Sequence, residues 1–90
     1  DVATLVSRQA HILRALWPLL SAGGMLLYCT CSVLSDENSR QVSGFLDSQP
    51  DASGLPIDAA WGRECVQGRQ VLPGNDEMDG FYYACLRKLG

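Results

Sequence analysis

Residues 25–38 read MLLYCTCSVLSDEN. The first six, Met25–Thr30, carry no charge and are apolar on both alternating sides, which predicts a strand buried within a sheet. The run then ends abruptly. Ser35 has the chemistry of a helix N-cap, and Asp36 with Glu37 would sit favourably at the positive end of the helix that follows. A strand giving way to a loop and then a helix puts Cys31 at the carboxyl edge of a sheet, where reacting groups gather in open α/β folds. Cys29, two residues earlier, is expected to point to the same face but deeper, as a small buried hydrophobe.

Working outward, Leu5, Gln9, Ile12, Leu13, Leu16 and Leu20 fall near helical spacing and predict an amphipathic helix before the strand. Pro18 disfavours helical geometry at Trp17, and Ser21–Gly24 (SAGG) supplies the turn. On the other side, Val42, Phe45 and Leu46 form the inward stripe of a second helix, with Pro50 beyond its end. Residues 49–80 are rich in Pro, Gly, Asp and Ser, with short extended pieces expected at Leu55–Asp58 and Arg69–Leu72. Residues 81–88, FYYACLRK, alternate Phe81, Tyr83 and Cys85 with Tyr82, Ala84 and Leu86. Both sets are largely apolar, so a second interior strand is expected. Two double-faced strands need layers on both sides, and two helices barely supply them. The order helix, strand, helix, strands therefore reads as the second half of an α/β sandwich. No glycine-rich turn leads from a strand into a helix, the arrangement that cradles a nucleotide.

Composition narrows the classes. Ninety residues allow one small domain, and the chain reads as part of a longer one. No stretch approaches membrane-spanning length, and the first residues lack the basic and apolar blocks of a secretory signal. A net charge of −3 is unlike that of a free-standing nucleic-acid binder. The four cysteines, Cys29, Cys31, Cys65 and Cys85, are expected to be reduced thiols. Their spacing lacks the paired C-x2-C knuckles of a zinc site. A zinc-holding module and a thiol redox module using Cys29 and Cys31 stand as the rival readings, although a C-x-C on a strand lacks the helix-start setting that activates C-x-x-C.

Three elements in order carry a resemblance. GGMLLYCTCSVLSDENSRQVSGFL resembles motif VI and its flanks in the Sun/Fmu-type RNA (cytosine-C5) methyltransferases, whose pattern is GG-x-L-V-Y-x-T-C-S followed by E-N and a helix. LPGNDEMDGFYYACLRK is similar to that family's closing P-G…D-G-F-F-x-A-x-L-x-K, and RQAHILRALWPLL to the helix before motif VI. The likeness spans nearly the whole chain and is weakest from Asp47 to Val71. It implies the C-terminal half of a Rossmann-like, class I S-adenosylmethionine-dependent methyltransferase sheet, with an interior, antiparallel last strand. Residues 1–90 would then be the C-terminal fragment of the catalytic domain, with the S-adenosylmethionine-binding half upstream. The implied partner is small-subunit ribosomal RNA and the implied setting cytoplasmic, with no membrane and no metal.

Carried over, the resemblance makes Cys31 the nucleophile, and Thr30 and Ser32 its motif neighbours. Carbon 5 of cytosine is too poor a nucleophile to take a methyl group directly. A thiolate adding to carbon 6 makes carbon 5 enamine-like and reactive, which divides one hard step into easier ones. Such chemistry asks for a thiolate, and the start of the second helix could favour it. Asn38, the second residue of E-N, is expected to hold the loop after Cys31 by hydrogen bonding. The S-adenosylmethionine site is not complete in these residues, so the fragment alone is expected to be inactive. Ser35 departs from the family's frequent Pro, which bears only on helix entry.

Overall fold

The computed structural model describes residues 1–71 and 80–89. Helix α1 (Val2–Leu16) starts where the Asp1 carboxylate accepts a 2.8 Å hydrogen bond from the Thr4 amide, satisfying one of the donors a helix start leaves unpaired. Pro18 then limits the continuation to one 3-10 turn, Trp17–Leu19. The chain reverses through Gly23, at φ 82°, while the Gly24 amide donates to the Ser21 carbonyl at 2.9 Å. Strand β1 (Met25–Thr30) follows, then α2 (Ser39–Ser48), β2 (Ala52–Leu55), β3 (Arg63–Glu64), β4 (Arg69–Val71) and β5 (Phe81–Lys88).

The last strand is central, as expected. β5 pairs antiparallel with β1 along its length, from Met25 opposite Arg87 to Thr30 opposite Tyr82. On its other side β4 covers the first half and β2 the second. β3 pairs with β4 through a hairpin. At the hairpin tip Gly68 has φ 75°, and any Cβ there would collide with the Tyr83 carbonyl oxygen and the Tyr82 ring, so glycine is required.

Both helices pack on one face of this sheet. Leu13, Trp17, Val42 and Phe45 meet Tyr28, Tyr82, Ala84 and Leu86 in a single core. Trp17 sits edge-on to Phe45 at 5.3 Å, and its indole N–H donates to Asp51. Burying a large apolar side chain contributes about 1.5–3 kcal/mol, so this layer supplies most of the cohesion. Lys88 Nζ donates to the carbonyls of Trp17 and Leu20, at 3.1 and 3.0 Å, tying the end of β5 to the end of the first helix. Among the described residues no helix is long and apolar enough to cross a membrane.

Several expectations need correction. β1 lies at the sheet edge, and Met25, Leu27 and Cys29 are exposed, because α1 and α2 both cover the opposite face. Ser35 is not an N-cap: residues 35–38 form a turn, and α2 begins at Ser39. The first extended piece is Ala52–Leu55 rather than Leu55–Asp58, its place set by pairing with Lys88–Cys85, and β3 has no counterpart among the expected elements. Leu72 and the P-G…D of the closing motif lie outside the described residues.

Candidate functional site

Cys31 is the first residue beyond β1, and its thiol is free and exposed. The residues on either side of it are not free. The Thr30 hydroxyl bonds the Asn38 side-chain oxygen and accepts from the Ser32 amide at 3.2 Å. The Ser32 carbonyl accepts from Asn38 Nδ2 at 2.8 Å and from Gln70 Nε2 at 3.0 Å. The Ser32 hydroxyl donates to Glu37 Oε2 at 2.9 Å and accepts from the Leu34 amide at 3.0 Å. The loop is thus held by its flanks while the thiol between them stays open to solvent.

Asn38 is fully buried, at 0 % exposure. An unbonded carboxamide there would cost several kcal/mol, and its second Nδ2 hydrogen goes to Gln70 Oε1 at 2.7 Å. This explains the start of α2. Asn38 occupies the N-cap position without a side-chain capping bond, because its carboxamide is committed to the Cys31 loop.

Glu37 is also buried. Its carboxylate accepts from Ser32 and, at 3.1 Å, from Gln9 on α1. Its carbonyl accepts the Tyr28 hydroxyl at 2.7 Å. Burial first, and then the Glu37 carboxylate, pushes the Tyr28 phenol up to about 12. Asp36 points outward, paired with Arg40 at 3.0 Å. Of the two acidic residues, only Glu37 therefore turns inward, and it does so with its charge already hydrogen-bonded.

Gln9, Cys29, Thr30, Cys31, Ser32 and Glu37 line an open hollow of about 510 Å³. Cys29 opposes Tyr83 on the uncovered side of the sheet and is exposed rather than buried; partial burial pushes its thiol pKa up. Cys65 and Cys85 are half-buried, Cys65 against the core. Among the described residues no three His, Cys, Asp or Glu side chains form a group that could hold a metal. Thr30, Cys31, Ser32 and Asn38 come together as one assembly. Glu37, the first residue of the E-N pair, belongs to it too, as do Gln9 from the stripe of α1 and Gln70; nothing in the sequence distinguishes Gln70 from an ordinary surface amide.

The family description 16S rRNA methyltransferase RsmB/F matches residues 1–87. The chain belongs to this RsmB/F family. It is 48% identical over 88 residues to a ribosomal RNA small subunit methyltransferase B of Vibrio cholerae, covering 98% of this chain and 19% of that protein. It is 44% identical over 88 residues to the protein of that name from Xanthomonas campestris, again covering 98% of this chain and 20% of the relative. The chain thus spans about a fifth of the length of these RsmB/F relatives. A crystal structure of a methyltransferase homologue from Pyrococcus horikoshii superposes with a TM-score of 0.87 at 27% identity, over 99% of this chain and 32% of that one. The architecture is that of the C-terminal part of a Rossmann-like methyltransferase sheet, with the last strand interior and antiparallel.

Proposed function

We propose that this chain is the C-terminal part of the catalytic domain of an RNA (cytosine-C5) methyltransferase that acts on 16S ribosomal RNA, with Cys31 as its nucleophile. One observation carries the reading. At the carboxyl end of β1 an exposed thiol stands between two residues that are hydrogen-bonded in place, which suits a group that must reach a substrate atom in a fixed direction. The family membership of residues 1–87 supports the reaction class.

In the proposed reaction the Cys31 thiolate forms a bond to carbon 6 of the cytosine, and the displaced electron pair makes carbon 5 nucleophilic. S-adenosylmethionine, held by polypeptide outside the described residues, would supply the methyl group that carbon 5 takes up: its S–CH3 bond would break with the electron pair returning to sulfur, and the neutral thioether would leave. Loss of the carbon-5 proton to a base then drives the pair back, breaks the S–C6 bond and frees the thiolate. Thr30, Ser32 and Asn38 orient the thiol. The residues described here do not fit the methyl donor: at the one glycine pair of the chain, the Gly23 and Gly24 amides are spent on the carbonyls of Lys88 and Ser21, and the turn opens into a strand. Donor binding is therefore assigned to polypeptide outside the described residues, and a cytoplasmic setting accords with a ribosomal RNA substrate. Calorimetry on this chain alone is expected to show no S-adenosylmethionine binding in the micromolar range; such binding would overturn the division of labour.

The deciding experiment uses RNA carrying 5-fluorocytosine at the target. Fluorine cannot leave as the carbon-5 proton does, so the adduct should persist after methyl transfer. A denaturation-resistant protein–RNA species is expected with Cys31 present and absent in Cys31→Ala. Its survival in Cys31→Ala and loss in Cys29→Ala would transfer the role to the other cysteine.

A further inference from the structure

Gln70 lies in the middle of β4, opposite Tyr82, on the face that the helices cover. A primary amide is costly to bury unless its hydrogen bonds are made, and every one here is made. Nε2 shares its two hydrogens among the carbonyls of Phe81 at 2.9 Å, Ser32 at 3.0 Å and, at the longer 3.2 Å, Val71, while Oε1 accepts from Asn38 at 2.7 Å. The bonds to Phe81 and Val71 anchor the amide to the sheet. The bonds to Ser32 and Asn38 reach out to the Cys31 loop. Sheet pairing does not need this bridge, since β4 and β5 are joined by their own ladder, and an apolar side chain of the same volume would fill the position. What the amide uniquely provides is a rigid link between the sheet and the carbonyl one residue after the thiol.

We infer that Gln70 is a positioning residue for the Cys31 thiol: with Asn38 it clamps the Ser32 carbonyl and so fixes the backbone on which the thiol is carried. This rests on the assignment of Cys31 as the nucleophile. The backbone of Ser32 is held at its nitrogen by Thr30 and at its carbonyl oxygen by two amides. With Gln70 gone, the Ser32 carbonyl keeps a single side-chain donor, Asn38 loses one of its two acceptors, and the loop gains freedom to shift. A nucleophile displaced by an ångström loses about 100-fold in rate, whereas RNA affinity drawn from phosphate contacts spread over other surfaces is little affected.

The test uses the complete enzyme and the variant Gln70→Met, which keeps the volume and removes the hydrogen bonds. Its kcat for methyl transfer is expected to fall about 10- to 100-fold with KM for RNA nearly unchanged, and the rate of adduct formation on 5-fluorocytosine RNA should fall in parallel. Because both amides act through one carbonyl, Gln70→Met combined with Asn38→Ala should cost less than the product of the two single effects. A wild-type kcat in Gln70→Met, or a loss no larger than its loss of folded protein, would overturn the inference. So would strictly multiplicative effects in the pair. Should Gln70→Met fail to fold, Gln70→Leu, apolar and close in volume, removes the same hydrogen bonds without burying a charge. The same kcat loss is expected there, and a wild-type kcat overturns the inference. Cys31→Ala, run alongside, separates the two claims: methyl transfer surviving that change sinks the nucleophile assignment itself, whereas an inactive Cys31→Ala beside an unimpaired Gln70 variant sinks only the positioning role.

Discussion

Tyr28, Tyr82, Ala84 and Leu86 point to the face of the sheet that α1 and α2 cover, while Met25, Leu27 and Cys29 point to the other. Strand alternation sends neighbours of similar apolarity to opposite sides, so composition alone does not tell the faces apart. The covered face has a packed interior, and among the described residues no buried side-chain nitrogen or oxygen lacks a partner. The other face leaves Leu27 62 % exposed and Met25 64 % exposed. The Cys31 loop sits where the two meet. It is anchored from the covered side through Asn38, Gln70 and Glu37 and offers its thiol to solvent. The lesson is one of division: the covered face supplies rigidity, and the open side leaves the Cys31 thiol accessible.

The largest expected effect tests that division at the C-x-C pair. In the complete enzyme Cys31→Ala should abolish methyl transfer, while Cys29→Ala should leave it nearly intact and change stability by less than about 0.5 kcal/mol, as for an exposed site. Single-turnover methylation with both variants decides; comparable losses would break the comparison.

Next comes packing. Leu86 is fully buried, and Leu86→Ala should destabilise by about 2–5 kcal/mol, a large part of a small domain's total. Leu27→Ala in this chain should stay within about 0.5 kcal/mol. Repeating Leu27→Ala in a longer protein sharpens the contrast: a markedly larger loss by urea denaturation there would mean that the rest of the polypeptide covers the open face.

A smaller effect is expected at Tyr28. Removing its hydroxyl in Tyr28→Phe takes a donor from the Glu37 carbonyl and should cost about 1 kcal/mol. The folded-state phenol is raised to about 12, above the value of about 10 in an unfolded chain. Its contribution is therefore complete below about pH 10 and fades as pH rises from there towards 12. Alkaline unfolding curves of wild type and Tyr28→Phe should converge in that window. The smallest effect belongs to Asp51, whose carboxylate is held below its usual range by hydrogen bonds from Gln49 and Trp17. Its contribution is present above the ordinary carboxylate pKa and lost as pH falls through the lowered one. Thermal melts of Asp51→Asn should therefore differ from wild type at neutral pH and coincide with it in acid.

Much of this was legible beforehand. Helical spacing through Leu13, the stripe Val42–Phe45 and the apolar alternation of residues 81–88 each became the expected element, although Leu5, Ile12 and Leu16 of the first stripe are exposed. The α-helix ends before Pro18 as expected, yet Trp17 keeps helical angles, φ −55° and ψ −45°, because the chain continues as a 3-10 turn. The apolar run Met25–Thr30 gave a strand but not its coverage, because what lies over Met25 and Leu27 is a matter of neighbours rather than of the run itself. The E-N pair pointed to Asn38, yet the start of α2 was misread: Ser35 has the right chemistry for a cap, but the buried Asn38 commits its carboxamide to the loop instead. Gln70 was invisible. A glutamine between Arg69 and Val71 looks like any edge-strand polar residue until pairing with Tyr82 turns it inward.

The sheet order has a consequence for how the chain comes into being. β1, β2 and β4 share no ladder with one another; each pairs with β5, the last strand in the sequence. At a translation rate of about 5–20 residues per second, three strands leave the ribosome seconds before the one that joins them. β1 is the apolar one among them, with an open edge of the kind that draws chains into aggregates, and its partner in β5 lies far along the sequence, Met25 opposite Arg87, which slows folding. Shielding by a chaperone, or by neighbouring polypeptide already folded, matters most for this protein in the interval before Phe81–Lys88 emerges.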